Sequence, residues 1–230
     1  MTNLIKEFYD QICFPGLYTQ RSLQYHWPKI RNPYLAVIDS GIKTANTVLD
    51  VGCGSGLVTN LFAQKYTDKK FLALDFAAGV DYARQFSAQH HIQNTNFVKS
   101  SFDEFRTDQT FDTVICQGVL HHMPNWKINI SKLKDLVNSG GTLILGLYHP
   151  WGKIAKRYSN INYGNDVLQQ DQEHNPYETA FSCTQTQKLL GDQFTVYNAY
   201  PSAVPAVAAI CSLFNYRNGG LITSCWRKNV

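Results

Sequence analysis

Nine consecutive residues, Val48-Leu49-Asp50-Val51-Gly52-Cys53-Gly54-Ser55-Gly56, carry the first chemistry legible in this chain. An apolar run ends in an acid, and three glycines follow at alternate positions. Glycine adopts positive φ without a Cβ penalty and lets a ligand come close to the backbone. Leu57, Val58, Leu61 and Phe62 follow at helical spacing, so the segment reads as buried strand, tight turn and helix start. A nucleotide-like ligand is expected over that turn. The dinucleotide fingerprint fails, because its third glycine would fall at Leu57. The phosphate-loop pattern fails as well, since no Gly-Lys-Ser/Thr follows four variable residues. Asp50 would sit badly beside a pyrophosphate and would suit a ligand carrying an amine. A second apolar run, Lys70-Phe71-Leu72-Ala73-Leu74-Asp75, ends in an acid 19 residues after Gly56. A carboxylate there can accept hydrogen bonds from both ribose hydroxyls. A helix N-cap before Ala77-Ala78 is the structural alternative.

Three more segments follow in order. Asn96-Phe97-Val98-Lys99-Ser100-Ser101-Phe102 reads as a third strand and its exit. Phe111-Asp112-Thr113-Val114-Ile115-Cys116-Gln117-Gly118-Val119-Leu120-His121-His122-Met123-Pro124 reads as a fourth strand and a turn. Val137-Asn138-Ser139-Gly140-Gly141-Thr142-Leu143-Ile144-Leu145 reads as a turn and a fifth strand. Together, over about residues 46–148, these segments resemble the class I S-adenosylmethionine (SAM) methyltransferases of small-molecule type. Asp50–Gly56 stands as motif I and Phe111–Pro124 as motif IV. The asparagine-proline-proline-tyrosine/phenylalanine signature of the DNA and glutamine N-methyltransferases is absent, with Gln117-Gly118-Val119-Leu120 in its place.

The resemblance implies a role for each residue. Gly52, Cys53, Gly54 and Gly56 would shape the loop beside the methionine and ribose. Asp50 would organise that loop and receive the SAM amine through water. Asp75 would bind ribose, with Phe76 packing on adenine and Ser101 and Phe102 along adenine's edge. Many such enzymes have an acid where this chain has Ser101. Gln117 would present its backbone carbonyl to the amine, and Val119 and His122 would border the methionine arm. His149, which follows the fifth strand, is the first candidate for a general base, since imidazole titrates near working pH. Its alternative is a plain loop histidine before Pro150. Tyr18, His174 and Tyr177 follow as candidates, with lid aromatics as the alternative. No metal is expected, because adjacent histidines such as His121-His122 point in different directions.

These residues must be positioned by alternating strands and helices. Apolar patterning predicts elements at 47–51, 57–66, 71–75, 79–90, 95–99, 112–117, 126–137 and 142–148. That alternation predicts an α/β fold, a doubly wound parallel sheet with its ligand at the carboxyl ends of the strands. By resemblance it is a Rossmann-like sheet of seven strands, the last antiparallel and inserted beside the fifth. Residues 1–45 read as an N-terminal cap, with one amphipathic helix and a second over 34–40 stopped by Gly41. Residues 150–183 read as an insertion. Residues 184–230 read as a helix, a strand over 194–200, a helix or lid over 203–214, and a strand over 221–227. One domain is the most economical reading of 230 residues.

Lys plus Arg is 21 against 17 Asp plus Glu, a formal +4 spread without a dense basic run. A nucleic-acid partner is therefore not expected. The six cysteines form no disulfide framework, no apolar leader opens the chain, and no run is long enough to span a membrane. The expectation is a cytoplasmic enzyme, monomer or homodimer, that methylates O, N or C of a small metabolite or natural product. Its aromatic cap and insertion would suit a planar or apolar acceptor. The alternatives are an RNA or protein methyltransferase, a SAM-binding partner subunit without turnover, and a SAM-dependent enzyme of non-methyl chemistry.

Overall fold

Strands of five to eleven residues form one sheet whose central members are covered on both faces. The computed structural model describes residues 3–26, 32–152, 154, 178–214 and 220–230. In chain order these form α1 (Asn3–Gln11), α2 (Gln20–His26), α3 (Pro33–Ile42), β1 (Thr47–Val51), α4 (Leu57–Lys65), β2 (Lys70–Asp75), α5 (Gly79–Gln89) and β3 (Thr95–Lys99). There follow β4 (Phe111–Gln117), a 3-10 turn (Leu120–His122), α6 (Trp126–Asp135), β5 (Val137–Leu147), α7 (Cys183–Leu190), a second 3-10 turn (Gly191–Gln193), β6 (Phe194–Tyr200), α8 (Pro205–Phe214) and β7 (Ile222–Lys228).

The strands make one seven-stranded sheet in the order β3-β2-β1-β4-β5-β7-β6. β1 pairs in parallel with β2 and β4, β2 with β3, and β4 with β5. β7 runs antiparallel between β5 and β6. The fold is thus the expected Rossmann-like one. Strand order reverses between β1 and β4, and a crevice opens there beyond the strand ends.

Side chains alternate across β5. Leu143 and Leu145 join Leu133, Leu190 and Trp226 on one face, while Ile144 joins Ile38, Ile42, Leu61 and Phe62 on the other. Each such side chain withdrawn from water contributes roughly 1.5–3 kcal/mol.

Several local expectations need correction. Gly41 does not stop α3, which runs through it to Ile42. A Cβ at Gly41 would lie 2.6 Å from Ile144 Cδ1, so the glycine is there for close packing on the sheet. Val137–Gly141 is not a turn but the start of β5, because Val137 pairs with Phe111 across a register shift. α2 was not expected at all. The candidates His174 and Tyr177 lie outside the described residues.

Candidate active site

A cleft of about 860 Å³, its open mouth included, lies over the carboxyl ends of β1 to β4. Gly52, Gly54, Asp75, Phe76, Phe102, Gln117, Val119 and His122 line it. These are eight of the twelve residues expected to hold a cofactor, and they arrive from four separate strand ends.

The floor is backbone. Gly52 and Cys53 donate N–H bonds to Leu74 O at 2.8 and 3.1 Å, which ties the turn after β1 to β2. Gly54 has φ +54°, where an L side chain is strained, and a Cβ on it would lie 2.1 Å from Phe14 O. A Cβ on Gly52 would lie 2.4 Å from Val119 Cγ2. Bare backbone is therefore the only surface that fits between the β1 turn and its neighbours.

Asp75 is the organising acid. Its Oδ2 accepts from Gly54 N–H and its Oδ1 from Ala77 N–H, both at 2.8 Å. Each carboxylate oxygen keeps acceptor capacity for a further donor. Burial raises its pKa, opposed by those backbone donors. The anion is thus held by peptide dipoles and still faces the cleft.

The other four expected cofactor residues stand elsewhere. Asp50 is buried behind the loop and accepts from Thr59 Oγ1 at 2.6 Å. Desolvation, with Asp75 nearby, pushes its pKa up to about 6. Cys53 packs with Ala73, Val80, Ala83 and Phe97. Gly56 faces α5, where a Cβ would lie 2.4 Å from Ala83 Cβ, so its glycine serves helix packing. Ser100 lines the cleft in place of Ser101, whose Oγ instead accepts from Glu104 N–H at 3.3 Å.

Neither candidate base is in the cleft. Tyr148 packs at a tilt of 33° on His121, ring centroids 3.9 Å apart. Alternation carried past the end of β5 then sends His149 the other way. His149 is buried, with Nδ1 3.0 Å from Ser212 Oγ of α8 and accepting from Trp151 N–H at 3.3 Å. Burial lowers its pKa. Tyr18 donates to Ser55 O at 2.9 Å and accepts from Asn60 Nδ2 at 2.7 Å, and burial drives its pKa upward. It braces the glycine loop from outside the cleft.

Sequence reasoning missed one whole wall. Tyr9, Cys13 and Phe14 line the cleft from the cap. Asp10 Oδ1 accepts from Ala78 N–H at 2.6 Å, Phe14 O from Ser55 N–H at 2.8 Å, and Gly16 O from Ser55 Oγ at 2.9 Å. Tyr9 meets Phe76 edge-on at 5.8 Å. The amphipathic pattern of α1 announced a buried face without saying what it covers.

Comparison with known proteins agrees with this geometry. Residues 42–203 match a family described as a methyltransferase domain. An O-methyltransferase of ubiquinone biosynthesis from Rickettsia bellii is 35% identical over 124 residues, 54% of this chain and 48% of that protein. A malonyl-[acyl-carrier protein] O-methyltransferase from Acetivibrio thermocellus is 28% identical over 121 residues, 52% of this chain and 42% of that protein. The chain thus spans less than half the length of either. Among solved structures, the plantazolicin methyltransferase BpumL, in complex with S-adenosylhomocysteine (SAH), shares the fold with TM-score 0.62 at 14% identity, covering 99% of this chain and 96% of that one. The N-methyltransferase NodS from Bradyrhizobium japonicum shares it with TM-score 0.61 at 13% identity, covering 99% of both chains.

Proposed function

The chain belongs to the methyltransferase domain family, and from that premise we propose that it moves the methyl group of SAM to O, N or C of a small metabolite or natural product. The observation that carries this reading is the convergence of Gly52, Gly54, Asp75, Phe102, Gln117 and His122 on one cleft above four parallel strands. When bound, SAM supplies an activated methyl group on a sulfonium with a good leaving group.

The residues present fit that ligand. Asp75 would accept from the ribose hydroxyls with the acceptor capacity its backbone donors leave over. Phe76 and Phe102 offer apolar faces for a purine. The backbone carbonyl of Gln117 would accept from the amine, and Val119 and Met123 would flank the methionine arm. The wall formed by Tyr9 and Phe14 excludes water and aligns the acceptor, which is catalysis by proximity and orientation. His122 takes the place of His149 as the group suited to accept a proton, since it is an imidazole inside the cleft. The chain from 1 to 230 would act as one domain, with the cap over 1–45 and the insertion over 150–183 choosing the acceptor. The name of the ubiquinone-biosynthesis relative supports a small acceptor, whereas the other relative is named for a malonyl group on an acyl-carrier protein. Among the described residues no helix is long and apolar enough to cross a membrane.

Parallel calorimetric titrations with SAM, SAH and NAD test the reading. Micromolar binding of the two adenosyl ligands with NAD silent is expected. A screen of acceptors should then find one that gains a single methylene in mass. NAD binding, or no binding at all, would overturn the proposal.

A further inference from the structure

Two walls of the cleft come from loops that are far apart in sequence. One is the exit of β3, with Ser100 and Phe102; the other is the turn after β4, with Val119, His122 and Met123. Neither wall is a strand or an α-helix, so something must fix the distance between them. α6 touches both, through two residues that do not line the cleft. Asn129, fully buried, donates from Nδ2 to Asp103 Oδ1 at 2.9 Å and lies 3.1 Å from Met123 Sδ. Lys132, one turn further on the same face of the helix, donates from Nζ to Phe102 O and Phe105 O, each at 2.5 Å. Its ammonium also lies 4.4 Å from the centroid of the Phe102 ring. Arg106 adds a bond to Asp103 O at 2.6 Å and one to Phe105 O at 2.9 Å, from the solvent side.

We infer that Asn129 and Lys132 are positioning residues: from outside the cleft they hold the loop after β3 and the turn after β4 in one arrangement, and so set the spacing between the adenine edge and the wall of the methionine arm. The inference rests on the cofactor reading given above. Charge-assisted bonds to carbonyls are stronger than neutral ones, so Lys132 is the main tie of the Phe102 wall. Asn129 is the link that reaches both walls at once, because its amide meets the acid on one and the thioether on the other.

The test compares wild type with Lys132→Met, Lys132→Arg, Asp103→Asn, Asn129→Asp and the double exchange of the last two. SAH affinity is read by calorimetry, and amide hydrogen exchange over 100–106 is read without ligand. Lys132→Met should weaken SAH binding about tenfold, the loss expected for one or two hydrogen bonds. It should also speed exchange over 100–106 while β1 to β5 stay protected. Lys132→Arg should restore both, since it keeps cationic donors. The double exchange should recover affinity that each single change loses, because it rebuilds a donor–acceptor pair with the partners swapped. A merely structural role would lower the melting temperature without such selective rescue. Wild-type affinity in Lys132→Met, or faster exchange with no loss of affinity, overturns the inference and leaves the cofactor reading intact. If the wild type itself binds no SAH, the cofactor reading falls and the inference falls with it.

Discussion

The two halves of the sheet treat their polar groups in opposite ways. Above β1 and β2 the turns are tied through backbone N–H groups: Gly52 and Cys53 to Leu74 O, Gly54 to Asp75 Oδ2, and Ser100 to Asp75 O at 2.9 Å. Side-chain capacity is left facing the cleft. Beyond β5 the side chains satisfy one another. His149 meets Ser212 Oγ and accepts from the Trp151 backbone N–H, and Trp226 Nε1 donates to Ser224 Oγ at 2.8 Å. Gln117 marks the border, lining the cleft while its amide meets Thr223 Oγ1 at 2.8 Å. A chemistry-bearing side chain at a strand end is thus a site only where neighbouring residues have not already used it.

That contrast can be broken by pairing substitutions across it. His122→Ala should cut the methyl-transfer rate about a hundredfold for an acceptor that must lose a proton, the usual scale for a missing general base. His149→Ala should leave that rate within twofold, and steady-state assays on one identified acceptor decide it. Equal losses in both variants would erase the distinction between the halves. Asp75→Ala should weaken SAH binding roughly thirtyfold, because two ribose hydrogen bonds and the anchor of Gly54 go together. Unchanged affinity in calorimetry would mean the ribose lies elsewhere.

Smaller effects sharpen the comparison through pH. Asp50 titrates at about 6 in the fold against an ordinary value of 3.8. The folded state therefore holds this proton more tightly, and stability is lost as pH rises from about 4 to about 6. Asp50→Asn should abolish that loss, on the order of 3 kcal/mol, in denaturant titrations of the unliganded protein. His149 has the opposite sign: its pKa is lowered, so stability is lost as pH falls below the ordinary 6.5. His149→Ala should cost about 1–2 kcal/mol at neutral pH through the lost hydrogen bonds and packing, and should remove the part of the acid-side decline that begins just below pH 6.5. A wild-type-like acid limb in that variant would sink the assignment.

The parallel core was legible because each strand is a short apolar run with an abrupt polar or glycine end, a local signal. α2 was hidden because its sequence is mostly polar and Leu23 is the one fully buried side chain among its described residues, too little to set a period. The start of β5 was hidden because Asn138-Ser139-Gly140-Gly141 has turn composition, while its pairing is fixed by Phe111 across the sheet. In the site, Asp75 and the glycines announced themselves by position after a strand. The Tyr9–Phe14 wall did not, since the bonds that seat it join residues 41 and 68 positions apart, from Phe14 to Ser55 and from Asp10 to Ala78. His149 misled because the direction of a side chain beyond a strand end depends on a half-turn that composition does not encode.

The double engagement of Asp75 has a consequence for the thermodynamics of binding. The acid already grips Gly54 and Ala77 before any ligand arrives, so the loop's conformational entropy is spent during folding and not at the moment of association. An adenosyl ligand entering such a cleft gains contacts without having to order the floor beneath it. Its heat-capacity change on binding should accordingly reflect buried ligand surface alone, with no added contribution from a loop that folds around it.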